Sequence, residues 1–220
     1  MRIAITNLKG GVGKTTITIN LAVALVHRGH SVCVVDTDLG QKSSMEWAGS
    51  REEGVKLIPV FGVVGKQLNK EVSELNSKYD LVLIDGTPQL SELAERTILA
   101  SDMIVIPLSP SILDFRAFES FFERCEQIND LKESQGLKRS KIYVVVNRII
   151  ERANISQEIL NALSNYQVHV FETKINNRVA YADSITQGLG VIEYRDKKAK
   201  IEIESLTDEF EAALNLIQTK

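Results

Sequence analysis

Residues 7–16 read Asn-Leu-Lys-Gly-Gly-Val-Gly-Lys-Thr-Thr, between an apolar run at residues 2–7 and a helical pattern over residues 15–27. A glycine-rich turn that leaves a strand and opens a helix constrains this chain more than any other feature, because it fixes a strand-loop-helix unit built around an anion. The glycines let successive backbone N–H groups of Gly10, Gly11, Val12 and Gly13 curl toward phosphate oxygens, and the first turn of the helix adds its unsatisfied donors. Lys14 is then placed to reach the β- and γ-phosphates and the Thr15 hydroxyl to ligate Mg²⁺, with Thr16 counted alongside them as a first-turn residue. The strict pattern GxxxxGK[ST] is not met, since Leu8 stands where its first glycine belongs. A glycine-rich turn without a ligand is the competing reading.

The rest of the chain supplies a frame for such a unit. Short runs rich in Val and Ile recur at residues 2–7, 32–36, 56–61, 81–85, 103–108, 142–147 and 168–171. Runs apolar on both faces belong to strands covered by helices on both sides. The segment 15–27 carries Ile17, Leu21, Ala24 and Leu25 on one face and stops at Gly29. Strands alternating with helices predict an α/β fold, a doubly wound and mainly parallel sheet, with its functional edge at the carboxyl ends of the strands.

Composition narrows the class further. A hydrophobic fraction of 44% with 25% charged residues in 220 residues fits one globular domain spanning residues 1–220 and excludes disordered and collagen-like classes. Neither a secretory leader nor an apolar stretch of membrane-spanning length is visible, so a cytoplasmic location is expected. Cys33 and Cys125 offer no disulfide framework or CxxC metal site and read as core residues. The net charge of −3 argues against a general basic coat while leaving room for a local basic patch.

With Lys9 ahead of it, the loop KGGVGKTT resembles the deviant Walker A motif of the ParA/MinD family of P-loop NTPases, most of all the small plasmid partition proteins that lack an N-terminal helix-turn-helix. The resemblance implies that Lys9 reaches across a dimer interface as a second catalytic lysine beside Lys14. It extends to Asp36-Thr37-Asp38 and to Asp85 after Leu81-Val82-Leu83-Ile84. Asp38 then corresponds to the carboxylate that holds the attacking water, Asp36 supports the magnesium and switch region, and Asp85 corresponds to the Walker B residue that holds Mg²⁺ through water. Either Asp36 or Asp85 could instead cap a following helix. The family usually reads DxDPQ where this chain reads Asp38-Leu39-Gly40-Gln41, one residue longer and without the proline. Residues 106–115 resemble the proline-containing loop that the family places near the adenine, which nominates Pro107; the same segment reads equally as a strand exit with Ser111 as helix cap. Asn147 and Arg148, at another strand end, correspond to residues that read the base; Asn147 also reads as a plain strand terminator.

The implied activity is hydrolysis of ATP to ADP in a homodimer formed in the ATP state, serving DNA partition with a small centromere-binding adaptor and nucleoid DNA as track. Arg178, Arg195, Lys197, Lys198 and Lys200 are the candidate contacts to non-specific DNA, with Lys138, Arg139 and Lys141 as a further basic cluster. Each cluster can also be a solvated face. A membrane track is disfavoured because the last amphipathic segment carries Asp208, Glu209 and Glu211, which anionic lipid repels. Positioning of a protein cargo, such as a carboxysome or chemoreceptor cluster, and a metabolic ligase resembling dethiobiotin synthetase remain the alternatives. A nitrogenase-type iron–sulfur role is disfavoured by the two core cysteines.

Overall fold

The computed structural model describes residues 1–38, 40, 43–63, 65–88, 92–150 and 155–219. Among these, seven strands form one sheet: β1 (Arg2–Ile5), β2 (Val32–Asp36), β3 (Val60–Gly62), β4 (Leu81–Asp85), β5 (Met103–Leu108), β6 (Lys141–Val146) and β7 (His169–Val170). Their order is β3-β2-β4-β1-β5-β6-β7, and every pairing is parallel. The chain winds outward on one side through β2 and β3, returns with β4, and builds the other side from β5. The direction of winding therefore changes at β1, the strand that feeds the glycine-rich loop, as expected for a ligand crevice in an open α/β sheet.

Alternation along the strands separates the two faces. Ile3, Ile5, Val32, Val34, Leu81 and Leu83 pack with α1 (Lys14–His27) and α8 (Lys197–Gln218). Their neighbours Ala4, Cys33, Val35, Val82 and Ile84 face the opposite way, onto α3 (Leu68–Asn76) and α4 (Glu92–Ala100). Further along that second face, Ile104, Ile106 and Val144 pack against Phe118, Phe121 and Cys125 of α5 (Ile112–Ser134). Both cysteines are buried and unbonded.

Several elements differ from the sequence reading, for physical reasons. Helix α1 is buried on every side rather than along one stripe, from Ile17 through Leu25, because α8 covers the face that the sheet does not. Asn20, on that covered face, accepts a hydrogen bond from Val191 N at 2.8 Å. The run at 56–61 contributes only Val60 onward to β3. Pro59 has no N–H to donate to a ladder and serves through its carbonyl, which accepts from Val34 N. The run at 168–171 shrinks to a two-residue edge strand. Helix α8 buries Leu206, Phe210, Ala213 and Leu214, so its apolar stripe is core, as its acidic outer face suggests. Among the described residues no helix is long and apolar enough to cross a membrane.

Candidate nucleotide site

The loop after β1 is held from three directions. Asn7, buried at its entry, donates through Nδ2 to Pro107 O at 2.8 Å and accepts from Lys9 N at 3.1 Å. Asn147, at the end of β6, donates to Val12 O at 2.7 Å, and the Arg148 guanidinium donates to Gly11 O. Gly13 adopts φ +93°, and a Cβ there would lie 2.2 Å from Asn147 Nδ2. Glycine is therefore required at this position both for its left-handed backbone and for space. Lys14 is 7% exposed and donates from Nζ to Lys9 O at 3.0 Å, so the loop closes over its own lysine. The side chain of Lys9 stays exposed at the rim.

Strand register brings the acidic residues together. Asp36 and Asp85 are direct partners across β2 and β4, beside the end of β1. Helix α2 (Ser43–Gly49) starts against them. Asp36 accepts through Oδ1 from Asp38 N at 2.9 Å and through Oδ2 from Ser44 N at 3.1 Å and Met45 N at 3.3 Å, so the capping alternative describes its contacts here. Asp85 is 3% exposed. Its Oδ2 accepts from Ser44 Oγ at 2.6 Å, and its Oδ1 has no hydrogen-bond partner among the described residues. Burial pushes the Asp85 carboxyl up to about 7, against the opposing pull of the Ser44 and Thr15 hydroxyls and of Lys14. Burial likewise raises Asp36, which three backbone N–H groups counter, and lowers Lys14, with Asp85 and Asp38 acting the other way.

These groups line a cavity of about 130 Å³ that includes Gly10, Lys14, Thr15, Asp36, Asp38 and Asp85. A second cavity of about 310 Å³ contains Asn147, Arg148 and Arg178 and shares Gly13 and Thr16 with the first. A charged, glycine-lined cavity that shares its wall with a wider one has the form needed for phosphates followed by a nucleoside. Among the described residues no group of three or more His, Cys, Asp or Glu side chains could hold a metal by itself. An orphaned buried carboxylate oxygen beside a threonine hydroxyl fits Mg²⁺, which takes one or two protein oxygens and completes its shell with phosphates and water.

The model of the CobQ/CobB/MinD/ParA nucleotide-binding domain family matches residues 3–192. The chain belongs to this family. It is an ATPase of the ParA/MinD group, a group that binds ATP with Mg²⁺. It is 28% identical over 212 residues to the maintenance of carboxysome distribution protein A of Halothiobacillus neapolitanus, covering 94% of each chain. It is 24% identical over 240 residues to the sporulation initiation inhibitor protein Soj of Bacillus subtilis, covering 91% of this chain and 94% of that one. The septum site-determining protein MinD of Pyrococcus horikoshii, solved with Mg-ADP, superposes with a TM-score of 0.70 at 21% identity over 98% of each chain.

In this ParA/MinD-type site some expected residues take other places. Pro107 is buried within β5 and lines neither cavity; its carbonyl anchors Asn7. A proline is tolerated there because β1 ends at Ile5, so its missing N–H leaves no ladder bond unmade. Ser111 caps α5 by accepting from Asp114 N at 3.0 Å. The Leu39 and Gln41 departure lies outside the described residues; Asp38 borders the phosphate cavity. Arg178 is paired with Glu202 at 2.7 Å and lines the wider cavity, which corrects its assignment to an open DNA surface. Arg139 is surrounded by Glu126, Asp130 and Glu133, so its own charge is neutralised. Arg195, Lys197 and Lys198 are exposed at the start of α8, whereas Lys200 lies 3.9 Å from Glu204. Sequence reasoning assigned no role to Asn7 or Ser44. The Ser43-Ser44 pair just after the acidic strand end is the signal that could have marked a hydroxyl near Asp85.

Proposed function

We propose that this chain is an ATP-gated dimerising switch that partitions plasmid or chromosomal DNA, using non-specific nucleoid DNA in the cytoplasm as its track. The observation that carries this reading is Lys9. Its main chain is pinned on both sides, by Asn7 through its N–H and by Lys14 through its carbonyl, while its charged side chain is exposed at the rim of the phosphate cavity. A cation held outward at that place is suited to the γ-phosphate of a second copy, so that ATP closes a two-fold sandwich and hydrolysis opens it.

Within one protomer, the loop N–H groups and Lys14 bind the β- and γ-phosphates, and Thr15 and Asp85 hold Mg²⁺, with Asp36 fixing the start of α2 behind them. When bound, Mg²⁺ neutralises charge building on the phosphate oxygens. Asp38 holds the attacking water, whose oxygen bonds to the γ-phosphorus as the bond to the β-phosphate bridge breaks, giving ADP and phosphate. Lys9 of the other protomer adds positive charge as the transition state forms. Turnover is slow until a small centromere-binding adaptor engages the dimer. Arg195, Lys197 and Lys198, doubled by the two-fold axis, grip DNA phosphates without reading bases.

The full-length similarity to a carboxysome-distribution protein supports a second reading in which the cargo is a protein assembly carried over the same DNA track. ATP turnover and DNA co-sedimentation test the switch. Salt-sensitive DNA binding with ATP but not ADP, lost in Lys9→Ala and Lys14→Ala, is expected; DNA binding absent in every nucleotide state while ATP is still hydrolysed contradicts it.

A further inference from the structure

One residue touches both buried carboxylates. Ser44 donates its N–H to Asp36 Oδ2 and its hydroxyl to Asp85 Oδ2, and it is itself completely buried. A serine serving only to start a helix would accept from backbone N–H groups of its own first turn. This hydroxyl instead donates away from its helix, to a strand end 41 residues distant. With Oδ2 occupied in this way, the carboxylate is held so that Oδ1, which has no hydrogen-bond partner among the described residues, is left for another ligand.

The other end of α2 is also fixed. Trp47, one turn beyond Ser44, is 2% exposed and donates from Nε1 to Leu189 O at 3.3 Å. The Arg51 guanidinium lies 4.8 Å over the Trp47 ring and pairs with Glu193 at 2.9 Å, with both side chains of that pair almost wholly buried. A buried, multiply bonded arginine of this kind is costly to displace. Helix α2 is thus a short rod with Asp85 at one end and the segment from Gly188 to Glu193 at the other.

We propose that Ser44 is a positioning residue for the metal carboxylate: it orients Asp85 toward an incoming Mg²⁺ and transmits the arrival of that ion along α2 to Trp47. This rests on the reading of Asp85 as a Mg²⁺-holding residue. The hydroxyl acts through Asp85 and does not line the phosphate cavity, which places it among the outer partners whose loss typically weakens metal affinity 10–100-fold.

Trp47 is the single tryptophan of the chain, so its emission reports on the far end of α2 without any label. Mg²⁺ is titrated into protein saturated with a non-hydrolysable ATP analogue, following Trp47 emission and, in parallel, calorimetric heat. Wild type is expected to change emission with Mg²⁺. Ser44→Ala is expected to shift the Mg²⁺ midpoint upward by about tenfold or more, and Ser44→Thr, which keeps the hydroxyl, to restore most of the shift. Thermal unfolding and binding of the analogue without Mg²⁺ verify that the variants are folded. An unchanged midpoint in folded Ser44→Ala overturns the proposal, as does wild-type emission that stays constant while calorimetry records Mg²⁺ binding. Asp85→Asn separates the two levels. If it abolishes the Mg²⁺ response while Ser44→Ala does not, only the role of Ser44 falls; if it too leaves the response unchanged, the metal assignment of Asp85 falls with it.

Discussion

Two lysines are buried at opposite ends of the same sheet. Lys132, 3% exposed, lies at the amino ends of β5 and β6, where its Nζ donates to Ser101 O at 2.6 Å and to Ser140 Oγ at 2.8 Å. Asn129 beside it donates to Ser140 O and accepts from Ser140 N, so the neighbourhood is closed. Lys14, at the carboxyl end, donates to one carbonyl among the described residues, that of Lys9 in its own loop, and faces Asp85 and Asp38 across a cavity. Burial depresses both amines, that of Lys132 to about 8. A depressed lysine is thus no mark of function by itself; the mark is unfinished bonding beside a space that a ligand can fill.

The sharpest way to break this comparison is to remove each amine. Lys14→Met should lower ATP turnover on the order of 10²–10³-fold, the usual cost of losing one preorganised charge-stabilising group. Lys132→Met should leave turnover within about twofold. The stability difference between wild type and Lys132→Met should depend on pH. A lysine depressed in the folded state contributes stability fully present above its ordinary value of 10.5 and lost as pH falls through about 8. Urea midpoints between pH 7 and 10 measure that slope; if it is absent, the amine is not desolvated as described.

Asp85 extends the contrast with the opposite sign. A carboxyl raised to about 7 contributes stability that is present below its ordinary value near 3.8 and lost as pH rises through 7. Without nucleotide, wild type should therefore lose on the order of 4 kcal/mol relative to Asp85→Asn across that window. Mg²⁺ with nucleotide favours the ionised form and should flatten the slope.

Gly13→Ala should cost about 1–3 kcal/mol and abolish nucleotide binding, because the new methyl meets Asn147. Gly54→Ala, equally left-handed at φ +102° but with nothing within 4 Å, should cost only about 1 kcal/mol and leave binding intact. The smallest effect belongs to Arg139→Ala. Its three carboxylate partners are solvent-accessible, and exposed pairs contribute about 0–1 kcal/mol, so its thermal midpoint should barely move.

The strands β2, β4 and β5 were legible to the residue, because short runs apolar on both faces and rich in Val and Ile fit covered strands and are too short for helices. That the loop, Asp36, Asp38, Asp85, Asn147 and Arg148 gather along one edge of the sheet was legible, because each stands at the carboxyl end of such a run. The role of Pro107 was not, since whether a carbonyl anchors the loop or a ring meets the base depends on where β1 stops. Arg178 was misread because its partner, Glu202, lies one helix away, and pairing across elements leaves no trace in local composition. Ser44 was missed for the same reason: parallel register sets Asp36 beside Asp85 and so brings the Ser44 N–H within reach of the first and its hydroxyl within reach of the second.

The most direct test is the mass of the protein in solution, by sedimentation equilibrium with a non-hydrolysable ATP analogue and with ADP, for wild type and Lys9→Ala. The account predicts a dimer for wild type with the analogue, a monomer with ADP, and a monomer in both states for Lys9→Ala with nucleotide still bound. A wild-type monomer at saturating analogue, or a Lys9→Ala dimer as tight as wild type, would contradict it.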